Sequence, residues 1–235
     1  MMHWQFPGDT CESHCTDDDC WAVQPFSAFV TIFTAIGFFA YLLRSMYYGA
    51  SLGQCLGIFG FGAFEFVHGL SHRYAHFEYF EYYQHTVFYF VIVGVFAALY
   101  EATGHMPKAK YWSTAFCATI VYDLWLVVNY KVTLYNIILV TVMFRLLIAG
   151  FLPHLDKLSQ QRYDHLTAPH LTLLAVFINE GINCDRMIEW TSPEFPFHFL
   201  FESCSAVYFY YFVQFLMECR GKQNSKGKVG LKRFL

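Results

Sequence analysis

The apolar residues of this chain are gathered into seven blocks, at about residues 24–44, 51–72, 82–102, 111–129, 132–152, 168–188 and 197–219. Each block is close to the roughly 20 residues that cross a hydrocarbon core as a helix. Residues are 56% hydrophobic, 21% aromatic and 14% charged, more apolar surface than a soluble domain of this length can use. Backbone inside a bilayer must satisfy its own hydrogen bonds, so such blocks joined by short connections predict an all-α fold, a seven-transmembrane-helix bundle. The bundle occupies 22–219 of a single integral membrane domain spanning 1–235. An acidic, cysteine-bearing segment at 1–21 precedes it and a basic tail at 220–235 follows. No internal repeat or low-complexity segment interrupts the pattern. Pro25, Pro169, Pro193 and Pro196 stand at or before expected helix starts, where a missing N–H costs little.

The connections carry an orienting charge. With Met1 outside, the inner connections and tail hold Arg44, Lys108, Lys110, Lys157, Arg162, Arg220, Lys222, Lys226, Lys228, Lys232 and Arg233, eleven of the fifteen basic residues. The outer segments hold only Arg73, Lys131 and Arg186, while Arg145 falls inside the fifth block. That bias predicts an outer or lumenal N-terminus and a cytosolic C-terminus. No cleavable signal is visible, so the first block is expected to serve as its own insertion signal, in the endoplasmic reticulum, Golgi or plasma membrane. Cys11, Cys15, Cys20 and Cys184 all fall on the expected outer side, where disulfides form; four cysteines allow three pairings. Cys55, Cys117, Cys204 and Cys219 lie in or beside helices and read as small apolar packing residues.

Ionisable groups within apolar blocks are costly and need a partner or a task. Glu65, His68, His72 and His76 recur at a spacing of three and four in the second block, which puts them within roughly 80° of one helical face. His198 and Glu202 repeat the spacing at the start of the seventh. With alternating helix directions, the end of the second block and the start of the seventh share the outer half of the bundle. Imidazole and carboxylate are the usual ligands of a catalytic zinc, which keeps a position open for water, and zinc supports amide or ester hydrolysis. An intramembrane metal site is therefore expected.

Four ordered segments carry a resemblance to a known family. They are Asp9-Thr10-Cys11-Glu12, the glycine-rich Gly60-Phe61-Gly62-Ala63 leading to His68, the stretch from Glu180 to Cys184, and His198 through Glu202. Together they resemble the alkaline ceramidases, seven-helix intramembrane zinc amidases grouped in a superfamily with the progestin and adiponectin receptors. The resemblance implies zinc ligation by His68 or, one turn on, His72, with His198 and Glu202. It further implies a calcium site at Asp9 and Glu12, and a disulfide between Cys11 and Cys184 that leaves Cys15 and Cys20 as a local pair. The chain departs from the family pattern in three places. Glu202 stands where a second histidine is expected, Phe64 where a serine is, and Tyr79 where an aspartate is. Glu65 and Glu78 are then the carboxylates able to act as general base.

The implied activity is hydrolysis of the N-acyl bond of a ceramide or related lipid amide to a fatty acid and a sphingoid base. The expected partners are a membrane lipid substrate and the bilayer, not nucleic acid; oligomeric state is left open. Among competing classes, a retinal protein fails because no lysine occurs between Lys157 and Lys222. A bis-histidine haem protein could use His68 and His198. A heptahelical lipid receptor with a structural zinc suits the loss of the serine and aspartate. Of the other polar residues, Glu101, Asp123, Asn129 and Arg145 are expected in hydrogen-bonded packing. Asn179, Glu180 and Asn183 are expected behind the metal ligands, and His76 and His85 at the membrane interface.

Overall fold

A computed structural model describes residues 22, 24–74, 80–105, 145–190 and 197–222, and within them leaves aside the side chains of 80–86, 88, 181–190 and 197. Among the described residues the chain is all-helical, apart from one isolated bridge between Leu155 and Gly221. The helices are α1 (Pro25–Tyr47), α2 (Leu52–Arg73), α3 (Phe80–Thr103), α4 (Lys157–His165), α5 (Thr167–Trp190) and α6 (Phe197–Glu218). Residues 145–151 are helical as well and run into a 3-10 turn at Leu152–His154. Five of the seven apolar blocks thus correspond to α1, α2, α3, α5 and α6. The block at 111–129, and 132–152 up to residue 144, lie outside the described residues.

Two stretches, Pro25–Tyr47 and His198–Glu218, are long and apolar enough to cross a membrane. In α2 and α5 the apolar run is diluted by the same residues that carry chemistry, among them Glu65, His68, His72, His170 and Glu180.

Local signals set the boundaries. Pro25 opens α1 at its first position, and Gly49 (φ 78°) takes the left-handed turn that leads to α2. Ser51 and Gln54 form a reciprocal capping box at the start of α2. The connection after the fifth block is more than a short loop: Asp156 accepts from Ser159 N at 2.8 Å and caps α4. That polar helix was not foreseen. It is held against the end of the bundle by hydrogen bonds from Asp156 N to Arg220 O (2.8 Å) and from Arg220 N to Ser159 Oγ (2.8 Å), and by an ion pair between Arg162 and Glu218.

The centre of the packing is α2, which lies against both α1 and α3. Small residues allow this. A β-carbon on Gly94 would stand 2.2 Å from Gly57 N, and one on Gly60 would stand 2.7 Å from Val91 N. On the other side of α2, a β-carbon on Gly69 would meet Thr31 Oγ1 at 2.8 Å. Backbones at this distance gain dispersion contact along their whole length. Phe61 then packs on Phe209 and Phe212 of α6, at ring-centre distances of 4.9 and 5.5 Å, and Phe177 of α5 packs on Phe201 at 5.0 Å. At the end carrying α4, Gln54 Nε2 donates to Leu216 O at 3.0 Å, and Glu101 accepts from Gly53 N at 3.3 Å. Glu101 therefore has the packing role expected of it, at the electropositive start of α2.

This predicts a contrast between two glycines. Gly94→Leu should destabilise the fold by about 1–3 kcal/mol, the usual cost of overpacking, and should lower the metal content of the site that α2 carries. Gly37→Ala, with nothing within 4 Å of its added carbon, should be neutral or mildly stabilising. Thermal midpoints of the purified variants in one detergent check both.

Candidate metal centre

The end of α2, the start of α6 and the middle of α5 meet at one point. His68 and His72 are one turn apart on α2, with ring centres 4.6 Å from each other, and His72 lies 5.0 Å from the ring of His198. All three imidazoles turn Nε2 toward a single atom, Glu202 Oε1, at 3.6 Å from His68, 3.4 Å from His72 and 3.0 Å from His198. One donor atom from each of the four residues lies within 4.8 Å of all the others. Glu202 is 1% exposed and His72 and His198 are 5% exposed, while the His68 side chain keeps 17%.

Two of the rings are oriented from behind. His198 Nδ1 lies 2.7 Å from Glu180 Oε1 of α5, and His72 Nδ1 lies 2.6 Å from Gln24 Oε1. Gln24 also donates its backbone N–H to His72 O at 2.9 Å, so the residue just before α1 clamps the end of α2 through main chain and side chain together. A carboxylate or amide oxygen only accepts, so each Nδ1 carries a proton, and in the neutral ring each Nε2 presents a lone pair. Those lone pairs face a carboxylate oxygen, and neither Nε2 has a hydrogen-bond partner, nor does either oxygen of Glu202.

Lone pairs opposed at 3.0–3.4 Å inside an apolar interior are unfavourable unless a proton or a metal cation lies between them. Donors held about 2.0–2.2 Å from a tetrahedral metal are about 3.4 Å from one another. The three measured edges straddle that value. The arrangement of proton on Nδ1, outer acceptor and inward Nε2 is the one by which proteins fix metal-ligating histidines. The residues present therefore fit a metal ion, held by His68, His72, His198 and Glu202. Expected ligation by His68 or His72 becomes, in the structure, convergence of both.

Glu65 occupies the same interior, one turn before His68. It is 1% exposed, within electrostatic reach of Glu202, and neither of its oxygens has a hydrogen-bond partner. Glu78, Asp9 and Glu12 lie outside the described residues, as do His76, Cys11, Cys15 and Cys20; the side chains of His85, Asn183 and Cys184 are not described. The described cysteines, Cys55, Cys204 and Cys219, are free thiols. Glu180, expected behind the ligands, is there. Gln24 was missed, and its only signal in the sequence is a polar residue next to Pro25 at the end of the bundle where His72 was placed. Comparison with protein-family models, curated proteins and solved structures gives no match for the chain.

Metal analysis checks the centre directly. The purified protein should carry one ion. His68→Ala, His72→Ala, His198→Ala and Glu202→Ala should each lose most of it. Gln24→Ala and Glu180→Ala should keep the site but weaken it by roughly 10–100-fold, the usual effect of removing an outer partner. Full occupancy in His198→Ala would remove α6 from the site.

Proposed function

We propose that the protein is a seven-helix intramembrane zinc amidase of the alkaline ceramidase type, with its N-terminus outside or lumenal and its C-terminus cytosolic. In this reading it cuts the N-acyl bond of a ceramide or related lipid amide. The observation that carries it is Glu65. A metal site whose only purpose is to hold helices together has no use for a further carboxylate with both oxygens unpartnered; a hydrolytic site needs one.

His68, His72, His198 and Glu202 would hold the zinc, which when bound polarises a carbonyl and eases loss of a proton from water. The chain's own residues supply the rest. Glu180 and Gln24 keep His198 and His72 in the ligating tautomer. Glu65 takes the proton of the attacking water as its oxygen bonds to the acyl carbon, then delivers that proton to the nitrogen as the C–N bond breaks. The products are a fatty acid and a sphingoid base. His68 is the most exposed member of the cluster, and in this reading its side is the one from which a lipid would arrive laterally. A calcium site at Asp9 and Glu12 and a Cys11–Cys184 disulfide on the outer surface belong to the same reading.

A second reading has its own observation. Four protein donors fill a tetrahedral shell, which is how structural zinc is bound, and this favours a heptahelical lipid receptor of the progestin/adiponectin type.

One assay separates them. In detergent micelles with a short-chain ceramide, the zinc-loaded protein should release fatty acid, and a chelator should stop it. Glu65→Gln should retain the metal and lose about 10²–10⁴-fold in turnover. A fully loaded protein that turns over nothing, and that unfolds when chelated, would sink the amidase and favour the receptor.

A further inference from the structure

A second polar cluster lies at the other end of α5, away from the metal centre. Arg145, inside the fifth apolar block, spreads its guanidinium over three neutral acceptors. Nε donates to His170 Nδ1 at 3.4 Å, Nη1 to Tyr163 O at 3.4 Å, and Nη2 to Thr167 Oγ1 at 2.9 Å. Its plane lies 4.5 Å from the centre of the Tyr163 ring. Among the described residues no carboxylate pairs with it. An arginine stays charged, and an ionisable group at this depth normally has an oppositely charged partner. Among the described residues three of its five N–H groups are used.

The cluster sits where α4 ends and α5 begins, so Arg145 meets the last-turn carbonyl of Tyr163 and the first side chain of α5, Thr167, together. His170 Nδ1 accepts from Arg145, so its proton is on Nε2, which is turned away from the guanidinium. His170 is 6% exposed and stacks on Tyr208 at 5.3 Å. A cation whose side chain is fixed by a stacked ring and three hydrogen bonds is already ordered for a planar, two-point contact with an anion.

Which anion follows from what flanks it. Leu146 and Leu171, the chain neighbours of Arg145 and His170, are both exposed, and the hydrogen bond to Thr167 is exposed as well. Apolar side chains thus stand on the surface next to the charged group. Lys157, Arg220 and Lys222 occupy the same end of the bundle, with Arg162 paired to Glu218 and the acids Asp156 and Asp164 nearby. We propose that the Arg145 cluster binds the phosphate of an anionic phospholipid in the leaflet at the basic end of the bundle, with the acyl chains against Leu146 and Leu171. This rests on the membrane-spanning part of the functional reading and is independent of the metal and the reaction.

The test uses the full-length protein in neutral detergent, with dioctanoyl phosphatidylglycerol, dioctanoyl phosphatidylcholine and inorganic phosphate as separate probes. Phosphatidylglycerol should raise the thermal midpoint saturably, and the other two should not. Arg145→Gln should weaken that response at least about tenfold, since a hydrogen bond to a charged group contributes on the order of 1.5–3 kcal/mol, whereas Lys226→Gln in the tail should leave it intact. An equal response to phosphatidylcholine, a response to phosphate alone, or an undiminished response in Arg145→Gln would overturn the site. Should Arg145→Gln fail to fold, a photoactivatable phosphatidylglycerol on the unmodified protein decides: label within residues 163–171 supports the site and label confined elsewhere refutes it. Protease protection of tags on the two tails tests the membrane reading separately, and zinc content of the same samples reports on the metal centre.

Discussion

The Glu202 carboxylate is the constraint around which the rest of the structure is arranged. It is 1% exposed, on an otherwise apolar helix, with three imidazole nitrogens 3.0–3.6 Å from one of its oxygens. Burying one such charge unpaired costs several kcal/mol even after relaxation, which is comparable with the whole stability of an ordinary domain. A proton on His198 would pair that ring with the carboxylate, and the His72 Nε2 would still face the same oxygen. A divalent cation removes the conflict, because it turns four mutually unfavourable lone pairs into four ligands. The fold and such an ion would then depend on each other, since α2, α5, α6 and the residue before α1 all bring a side chain to this cluster.

That dependence explains the crowding of α2. Its ligands must reach across to α6 while Gln24 holds its end, so α2 must lie close to its neighbours. Gly57 against Gly94, and Gly69 against Thr31, supply that closeness where larger side chains would force the helices apart. The glycines and the histidines of α2 are thus two parts of one arrangement. At the far end the capping box, the Gln54 bonds to α6 and the strap of α4 over residues 219–222 keep the same helices from splaying. The metal centre sits at one end of a bundle that is tied at the other.

Much of this is legible in the chain because its signals are local. Apolar runs of spanning length gave five helices within a few residues of their observed ends, and the three- and four-residue spacing of Glu65, His68 and His72 placed them on one face. The joining of His198 to the same point followed from alternating helix direction. Three features were not legible. Whether His68 or His72 ligates is a matter of one helical turn, and a pattern that admits either cannot register that both fit. Gln24 acts through contacts 48 residues distant, with no periodicity to betray it. Helix α4 is polar and short, so it looks like a connection until Asp156 and Ser159 are seen to cap it and α6 to hold it.

The two polar clusters differ in a way that bears on what each is for. Around Glu202 the chain supplies three buried carboxylates, Glu65, Glu180 and Glu202, so a divalent ion would offset two of their charges and leave one group free to exchange a proton with a substrate. Around Arg145 it supplies a cation held by three neutral acceptors, with no carboxylate bonded to it among the described residues. Opposite charges neutralise most cheaply in place, as Arg162 and Glu218 do at the same end of the bundle. Arg145 and the Glu202 cluster do not follow that pattern: each is short of the kind of charge that a lipid phosphate or a metal ion would supply.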